Sequence, residues 1–149
     1  ADLGSKDAYK LLTSALVPRP IAWVSTVSSV GVPNLAPYSF FNAVAGDPLT
    51  VMFAPSFKPD GVPKDSLKNA QETGEFVVNP AEEALAEALN HTDSRSVMVL
   101  GQVLVLHVRG DLLGDDGLIV AERFQPIARL GRDEYTALGR VFRLERPKV

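Results

Sequence analysis

A lysine, an aspartate and a serine stand side by side at positions 64–66, at the start of a segment with helical character. The first turn of an α-helix offers backbone N–H groups without intrahelical acceptors and the positive end of the helix dipole. With the Lys64 ammonium and the Ser66 hydroxyl, such a turn could bind a phosphate group. Helix capping by Asp65 or Ser66 is the alternative, and the triplet alone favours capping.

Residues 34–42, NLAPYSFFN, combine a proline, two hydroxyl side chains and three aromatic rings. An extended segment of this kind could present its backbone and the Ser39 hydroxyl to a planar ligand, with the Phe40 ring packed near it. The alternative is a bulged strand whose aromatic rings fill the core, because proline interrupts a strand ladder. The residues of this segment alone do not distinguish the two.

Several classes of catalytic site are excluded by the residue types and motifs of the sequence. It has no cysteine, which excludes disulfides, cysteine-ligated metals and cysteine nucleophiles. The serine-hydrolase elbow, the P-loop, the dinucleotide-binding glycine motif and the zinc-protease helix motif do not occur. The histidines are His91 and His107, and we interpret His107 as an ordinary strand residue rather than a catalytic one.

Composition predicts one globular domain over residues 1–149, with 46% hydrophobic and 22% charged residues. The net charge of −3 argues against electrostatic binding of nucleic acid. Apolar runs such as 97–100 and 103–106 are far shorter than the ~20 residues of a membrane span, and the first residues lack a signal-peptide core. We therefore expect a soluble cytoplasmic protein without nucleic-acid or membrane partners.

The elements that must position these residues are predicted to be mainly strands. Apolar spacing predicts a helix over 8–16, and prolines at positions 18 and 20 end it. The predicted strands are 21–27, 32–41 with two prolines inside it, 49–54, 76–78, 97–108 with a bend or bulge at Gly101, and 141–144.

Two more helices and two connecting segments complete the prediction. The helices are 66–73, ended by Gly74 in a left-handed conformation, and 81–89. Residues 124–131 are predicted as a loop and 133–138 as a helical turn. Because no strand–helix–strand rhythm occurs, we predict a mainly β protein, a small antiparallel β-barrel with peripheral helices.

Five stretches, taken in order, resemble motifs of the flavin reductase-like, FMN-binding split-barrel proteins. They are 18–26 (PRPIAWVST), 34–42 (NLAPYSFFN), 64–69 (KDSLKN), 75–79 (EFVVN), and 125–131 (QPIARLG) followed by Tyr135. They extend over most of the chain. The resemblance implies a six-stranded antiparallel split barrel, and a homodimer with FMN near the subunit interface.

The same resemblance implies which residues hold the flavin. The first two stretches would line it, with Asn34 and Ser39 as polar contacts and Phe40 packed near the ring system, while 64–66 would hold the phosphate. Arg129 and Tyr135 would belong to a loop near the mouth of the site. The implied cofactor-binding residues are Arg19, Ala22, Trp23, Ser25, Thr26, Asn34, Ala36, Pro37, Tyr38, Ser39, Phe40, Lys64, Asp65, Ser66 and Asn69.

The sequence departs from the family pattern at residues 90–96. In the family a sizeable segment, part of which approaches the flavin, separates the EFVVN strand and its helix from the strand similar to 100–103. Here seven residues bridge that place. Either the segment is deleted or the natural polypeptide is longer than these 149 residues; we expect the latter, and intact mass would test it.

The resemblance implies an NAD(P)H:flavin oxidoreductase. FMN would be the flavin, FAD could serve as a substrate, and NADH or NADPH would donate the hydride, with a monooxygenase as a potential recipient of reduced flavin. The alternatives are a non-enzymatic FMN-binding or electron-carrier protein, and a structural member without flavin. A homodimer is also expected because 21–27 and 97–108 carry apolar residues on both faces, and only one face can fill the barrel.

Overall fold

The computed structural model describes residues 4–83, 97–142 and 144. The predicted segment 90–96 lies outside these residues, as does most of the predicted helix 81–89. The helices are α1 (Ser5–Ala15) and α2 (Asp65–Thr73), with a short 3₁₀ helix at Gly110–Leu112. The strands are β1 (Arg19–Pro20), β2 (Ala22–Val27), β3 (Pro33–Tyr38), β4 (Phe41–Gly46), β5 (Leu49–Phe53), β6 (Val77–Pro80), β7 (Val99–Gln102), β8 (Ile127–Arg129) and β9 (Tyr135–Ala137).

The described strands form three antiparallel sheets of three strands each. Their orders are β3-β2-β6, β4-β5-β7 and β1-β8-β9. The sheets do not close into one continuous barrel, which is the arrangement of a split barrel. The prediction of a mainly β, antiparallel fold with peripheral helices is therefore confirmed. No helix among the described residues has both the length and the apolar character needed to cross a membrane.

The main core lies between the sheets β3-β2-β6 and β4-β5-β7. Ala22, Val24 and Phe53 are fully buried there. The Phe53 ring lies 5.1 Å from the Tyr38 ring and 4.9 Å from the Phe76 ring, in tilted arrangements that favour aromatic contact. A smaller core of Ile21, Ala81 and Ile127, with Trp23 against it, joins the sheet of β2 to β8.

The predicted strand 32–41 is two strands, because the chain turns at residues 39 and 40 and pairs with different partners on either side. β3 pairs with β2, with Ala22 opposite Tyr38. β4 pairs with β5, with Phe41 opposite Phe53, and has a bulge between Ala43 and Ala45. Residues 39 and 40 are thus held between two sheets.

The predicted strand 97–108 was too long. β7 pairs only with β5 among the described strands, and the short β5 accommodates partners from Val99 to Gln102, with one further bond from Val103 N–H to Leu49 O. The predicted bend or bulge at Gly101 is also wrong, because the ladder runs through it without a register shift. Gly101 instead makes room for Phe76, whose ring would lie 2.4 Å from an added Cβ.

The predicted loop 124–131 and helical turn 133–138 are wrong, since together they contain the hairpin of β8 and β9. Arg129 pairs with Tyr135, and Leu130 N–H donates to Glu134 O across the turn. The aromatic and β-branched residues at 135 and 136 favour a strand once β8 offers an edge. Of the predicted strand 141–144, residues 141, 142 and 144 are not in a strand.

Helix α2 is bounded nearly as predicted. Gly74 has φ 74° and follows the last turn as the left-handed residue. The capping prediction for Asp65 or Ser66 is wrong, because Lys64 is the N-cap and no side chain caps it. The Ser66 hydroxyl is used elsewhere, and Asp65 forms an exposed ion pair with Lys58 at 3.2 Å.

Candidate functional site

A buried polar cluster joins the start of α2 to strands β2 and β3. It consists of Thr26, Asn34, Tyr38, Ser66 and Asn69, all of which were predicted site residues. Asn34 Nδ2 donates to Ser66 Oγ at 2.8 Å and to Thr26 Oγ1 at 3.3 Å, and Asn69 Nδ2 donates to Thr26 Oγ1 at 3.1 Å. Ser66 is only 1% exposed, and the hydrogen bond that its hydroxyl accepts from Asn34 anchors α2 to the sheet.

Tyr38 completes this cluster with a side-chain hydrogen bond to Ser66. Burial raises the pKa of Tyr38, and the negative charge of Asp65 raises it further, while the hydrogen bond to Ser66 acts in the opposite direction. The phenol therefore stays neutral up to strongly alkaline pH. The cluster is an uncharged, internally hydrogen-bonded support for the N-terminus of α2.

Lys64 stands at that N-terminus, two residues before Ser66 of the polar cluster. Burial lowers the pKa of Lys64 below its usual value of 10.5. Its side chain adds a positive charge to a helix end where no side-chain cap hydrogen bond forms among the described residues. This end of α2 has the chemistry to hold a phosphate.

The remaining predicted residues of β2 and β3 lie on two opposite faces of their sheet. Ala22 and Ala36 share the core face with the polar cluster, whereas Trp23, Ser25 and Pro37 lie on the other face. The Trp23 Nε1–H is buried without a hydrogen-bond partner among the described residues. The side chains of both faces therefore cannot contact one flat ligand at the same time.

The structure brings Arg19, Ser39 and Phe40 together at a cavity of about 820 Å³ between α1, β1 and the β8–β9 turn. Arg19 and Ser39 line the cavity. The Arg19 guanidinium carbon lies 5.8 Å from the Phe40 ring centre, and the Phe40 ring lies 6.3 Å from that of Tyr9, another lining residue. A planar ligand at this end would meet an aromatic ring, a hydroxyl and a cation.

Two guanidinium groups stand side by side in the wall of this cavity. Arg19 and Arg129 are directly opposite each other in the β1–β8 pair, so their side chains share one face. Arg19 donates to the carbonyls of Thr13, Leu16 and Leu130, which fixes α1 onto β8. Burial lowers the pKa of Arg19, and the charge of Arg129 lowers it further.

Arg129, which the resemblance placed in a loop near the mouth of the site, lies in β8 and lines the cavity. It is 6% exposed and donates to Tyr135 Oη at 2.5 Å and to the Arg132 carbonyl. Its guanidinium carbon lies 4.7 Å from the Tyr135 ring centre. Tyr135 and the turn thus orient a buried cation toward the cavity.

Three cationic residues of this cavity were not identified from the sequence. They are Lys6, Lys10 and Arg132. The signal for the lysines was available, because positions 6, 9, 10 and 13 follow helical spacing and share one face of α1. Arg132 could not be placed without the β8–β9 hairpin.

The described residues supply binding groups rather than a catalytic constellation. Within residues 4–83, 97–142 and 144, no group of three or more His, Asp or Glu side chains could hold a metal ion. What the site offers is charge, an aromatic surface and helix N–H groups. Such a set binds and orients a ligand that carries its own chemistry.

Comparison with known proteins shows what this chain is similar to. An uncharacterised protein of Halalkalibacterium halodurans, BH2278, is 32% identical over 198 aligned positions that cover 99% of this chain and 94% of the relative. Those positions outnumber the 149 residues here, so the relative carries residues without a counterpart in this chain.

Two solved structures share the fold. Nitrilotriacetate monooxygenase component B from Bacillus cereus is 30% identical with a TM-score of 0.86, covering 96% of this chain and 95% of that one. A split-barrel protein from Shewanella frigidimarina NCIMB 400, 14% identical, superimposes with a TM-score of 0.78 over 97% of this chain and 94% of its own. Residues 14–111 match the flavin reductase-like domain, and the chain belongs to that family.

Proposed function

We propose that this protein binds FMN and transfers hydride from NADH or NADPH to it, with FAD as an alternative flavin substrate. The observation that carries the proposal is the convergence of Arg19, Ser39 and Phe40 at one cavity in a chain of the flavin reductase-like family. These residues belong to two of the stretches that resemble the family's flavin-binding motifs.

The Lys64 end of α2 would hold the FMN phosphate. Three features support this assignment: the lysine charge, the backbone N–H groups of the first helical turn, and the hydrogen-bonded polar cluster beneath them. Ser66 and Asn69 contribute by fixing the helix to β2 and β3. Asp65 is paired with Lys58 at the surface, with 3.2 Å between Nζ and Oδ1.

Ser39 and Phe40 would hold the ring system of the flavin. Both lie where the chain passes from β3 to β4, so the two sheets fix their backbone on either side. Tyr38, directly before them, is hydrogen-bonded to Ser66 at the start of α2. The ring end and the phosphate end are therefore coupled through one short stretch of backbone.

The flavin, when bound, supplies the hydride-accepting chemistry, and the protein supplies binding, orientation and electrostatics. The chain then needs no general base of its own. Its task is to leave one face of the ring open so that the nicotinamide stacks at ~3–3.5 Å.

Reduced flavin would be passed to a monooxygenase, and the working unit would be a cytoplasmic homodimer. The transfer of reduced flavin to a monooxygenase is supported by the similarity to nitrilotriacetate monooxygenase component B, which is 30% identical. The absence of cysteine agrees with a reducing compartment. The dimer is supported by the exposed apolar surface described in the Discussion.

NAD(P)H oxidation with added FMN, FAD or riboflavin tests the proposed function. We expect turnover with FMN, and Phe40→Ala raises the KM for flavin about tenfold because ring contacts contribute roughly 0.5–1.5 kcal/mol beyond burial. Phe142→Ala, at an exposed ring outside the cavity, is the matched control. Tight FMN binding without turnover would favour the carrier alternative, and no flavin binding would favour a structural role.

A further inference from the structure

The cavity between α1 and the β8–β9 turn carries a charge opposite to that of the protein as a whole. Lys6, Lys10, Arg19, Arg129 and Arg132 line it, and Asp133 is the one carboxylate that the described residues contribute to the lining. Asp133 is 3.5 Å from Arg129 but 92% exposed, so solvent screens that pair. The chain has a net charge of −3. The positive charge is therefore concentrated here.

These cations are held close together at a cost to stability. Arg19 and Arg129 are directly opposite each other across a strand pair, where like charges repel. Lys6 and Lys10 are one helical turn apart on α1, which is also unfavourable for like charges. The hydrogen bonds of Arg19 go to carbonyls and orient it without neutralising it, and its buried Nε has no hydrogen-bond partner within the described part of the chain. A bound anion would offset this repulsion.

Backbone strain marks the same place. Arg132 is the described non-glycine residue with positive φ, at 53°. The left-handed conformation is strained for a non-glycine residue, and such residues cluster at ligand sites. The neighbouring Gly131 approaches α1 so closely that an added Cβ would lie 3.1 Å from the Ser14 Cβ. The turn is thus pressed against α1 in the conformation that places Arg132 at the cavity.

The cavity is too large for a simple anion, since about 820 Å³ lies in the range of organic ligand sites. Ser39 lines one end of this cavity and the Phe40 ring lies beside its lining residues Tyr9 and Arg19, so the cavity continues from the place where we put the flavin ring. We propose that this cavity binds the phosphate groups of the nicotinamide nucleotide that reduces the flavin. This inference rests on the proposed function and adds to it the docking site of the electron donor.

Equilibrium binding of NADP⁺, NAD⁺ and inorganic pyrophosphate to the purified chain, with and without FMN, tests the inference. In the double variant Lys6→Ala/Lys10→Ala we expect the Kd for NADP⁺ and pyrophosphate to rise at least about tenfold, because two charge-assisted contacts are lost. The Kd for FMN stays within about twofold. Lys68→Ala/Arg140→Ala removes the same charge from exposed positions outside the cavity and serves as the control.

Arg132→Gly separates binding from folding. It removes the guanidinium and the left-handed strain but keeps the backbone carbonyl that accepts from Arg129. We expect about tenfold weaker NADP⁺ binding with a Tm no lower than that of the wild type. A purely structural role of Arg132 would lower the Tm and leave the Kd unchanged, which would count against the inference.

Three results would overturn it: variants within twofold of the wild type, equal weakening by the control pair, or binding of pyrophosphate but not of nucleotides. Failure of the proposed function is distinguishable. If the wild type binds NADP⁺ through Lys6 and Lys10 but reduces no flavin, the hydride-transfer proposal fails and the docking site stands. If Lys6→Ala/Lys10→Ala oxidises NADPH with an unchanged KM, the docking site fails and the hydride-transfer proposal stands.

Discussion

Lys64 acts through its charge at the end of a helix that the polar cluster holds in place. Lys64→Ala should weaken FMN binding and raise its Kd by a factor of about 10 to 100, because a charge-assisted contact contributes roughly 1.5–3 kcal/mol. Riboflavin, which lacks the phosphate, should be affected much less. A fluorescence titration of both flavins measures this, with Lys68→Ala on the same helix as the control. Equal weakening of both flavins would place Lys64 away from the phosphate.

Tyr38 should make stability depend on alkaline pH. Its folded-state pKa lies above the ordinary 10.0, so above pH 10 the unfolded chain releases a proton that the folded protein keeps. The free energy of unfolding therefore falls as pH rises from about 10 toward the raised pKa.

Tyr38→Phe removes this dependence together with the hydrogen bond to Ser66. At neutral pH we expect the variant to be less stable by about 1 kcal/mol. Above pH 10 the difference from the wild type should shrink. Urea unfolding at a series of pH values measures both, and a difference that stays constant to pH 11 would contradict the assignment.

At the scale of elements, β7 depends on a glycine for packing rather than for backbone freedom. Gly101→Ala would place a Cβ 2.4 Å from the Phe76 ring, which itself packs on Phe53. We expect a loss of about 1–3 kcal/mol in the free energy of unfolding, as for other overpacked cores. Gly46→Ala, in β4 with open space around it, should change stability by less than about 1 kcal/mol. Comparable losses in both variants would show that strand propensity dominates.

The elements that could be predicted from the sequence are those set by local spacing and local turn chemistry. α2 with its Gly74 end and the centre of β2 are examples, since 3.6-residue periodicity, a glycine and alternation suffice. The ends of β7 and the whole β8–β9 hairpin were missed because they depend on a strand partner distant in sequence. A propensity pattern shows that 97–108 favours a strand but not that β5 is only five residues long.

The candidate site was predictable where a motif carried it and not where the fold assembled it. Asn34, Ser66 and Asn69 were found through the resemblance, and the structure joins them with Thr26 and Tyr38. That the hydroxyl of Ser66 is buried could not be predicted, because burial follows from how α2 meets the sheet. The cluster of cations requires α1, β1 and the β8–β9 turn to meet, which no local pattern indicates.

At the scale of the whole molecule, much apolar surface is exposed in a single chain. Residues 103–108 continue β7 beyond its pairing, and Leu104 and Leu106 are 84% and 73% exposed. Met98 and Leu100, earlier in the same stretch of chain, are 64% and 58% exposed. A stretch with this many exposed apolar side chains is a candidate interaction site, and a closed two-fold pair is the commonest arrangement of soluble oligomers.

We therefore expect Leu104→Asp/Leu106→Asp to shift the protein from dimer to monomer in analytical ultracentrifugation. Val30→Asp, at an equally exposed residue in the turn after β2, is the control and should leave the dimer intact. If each flavin contacts both chains, dilution to monomer also releases FMN, and added FMN strengthens the dimer by mass action. A monomer that retains flavin would refute the shared site.

We propose above all that this chain binds a flavin and reduces it with a nicotinamide nucleotide. The most direct test is the absorbance spectrum of the purified protein after FMN has been added and the excess removed, recorded anaerobically before and after NADH or NADPH. We expect a yellow protein whose flavin band bleaches on addition of the nucleotide and returns when air is admitted. A colourless protein, or a flavin band that neither nucleotide bleaches, would contradict it.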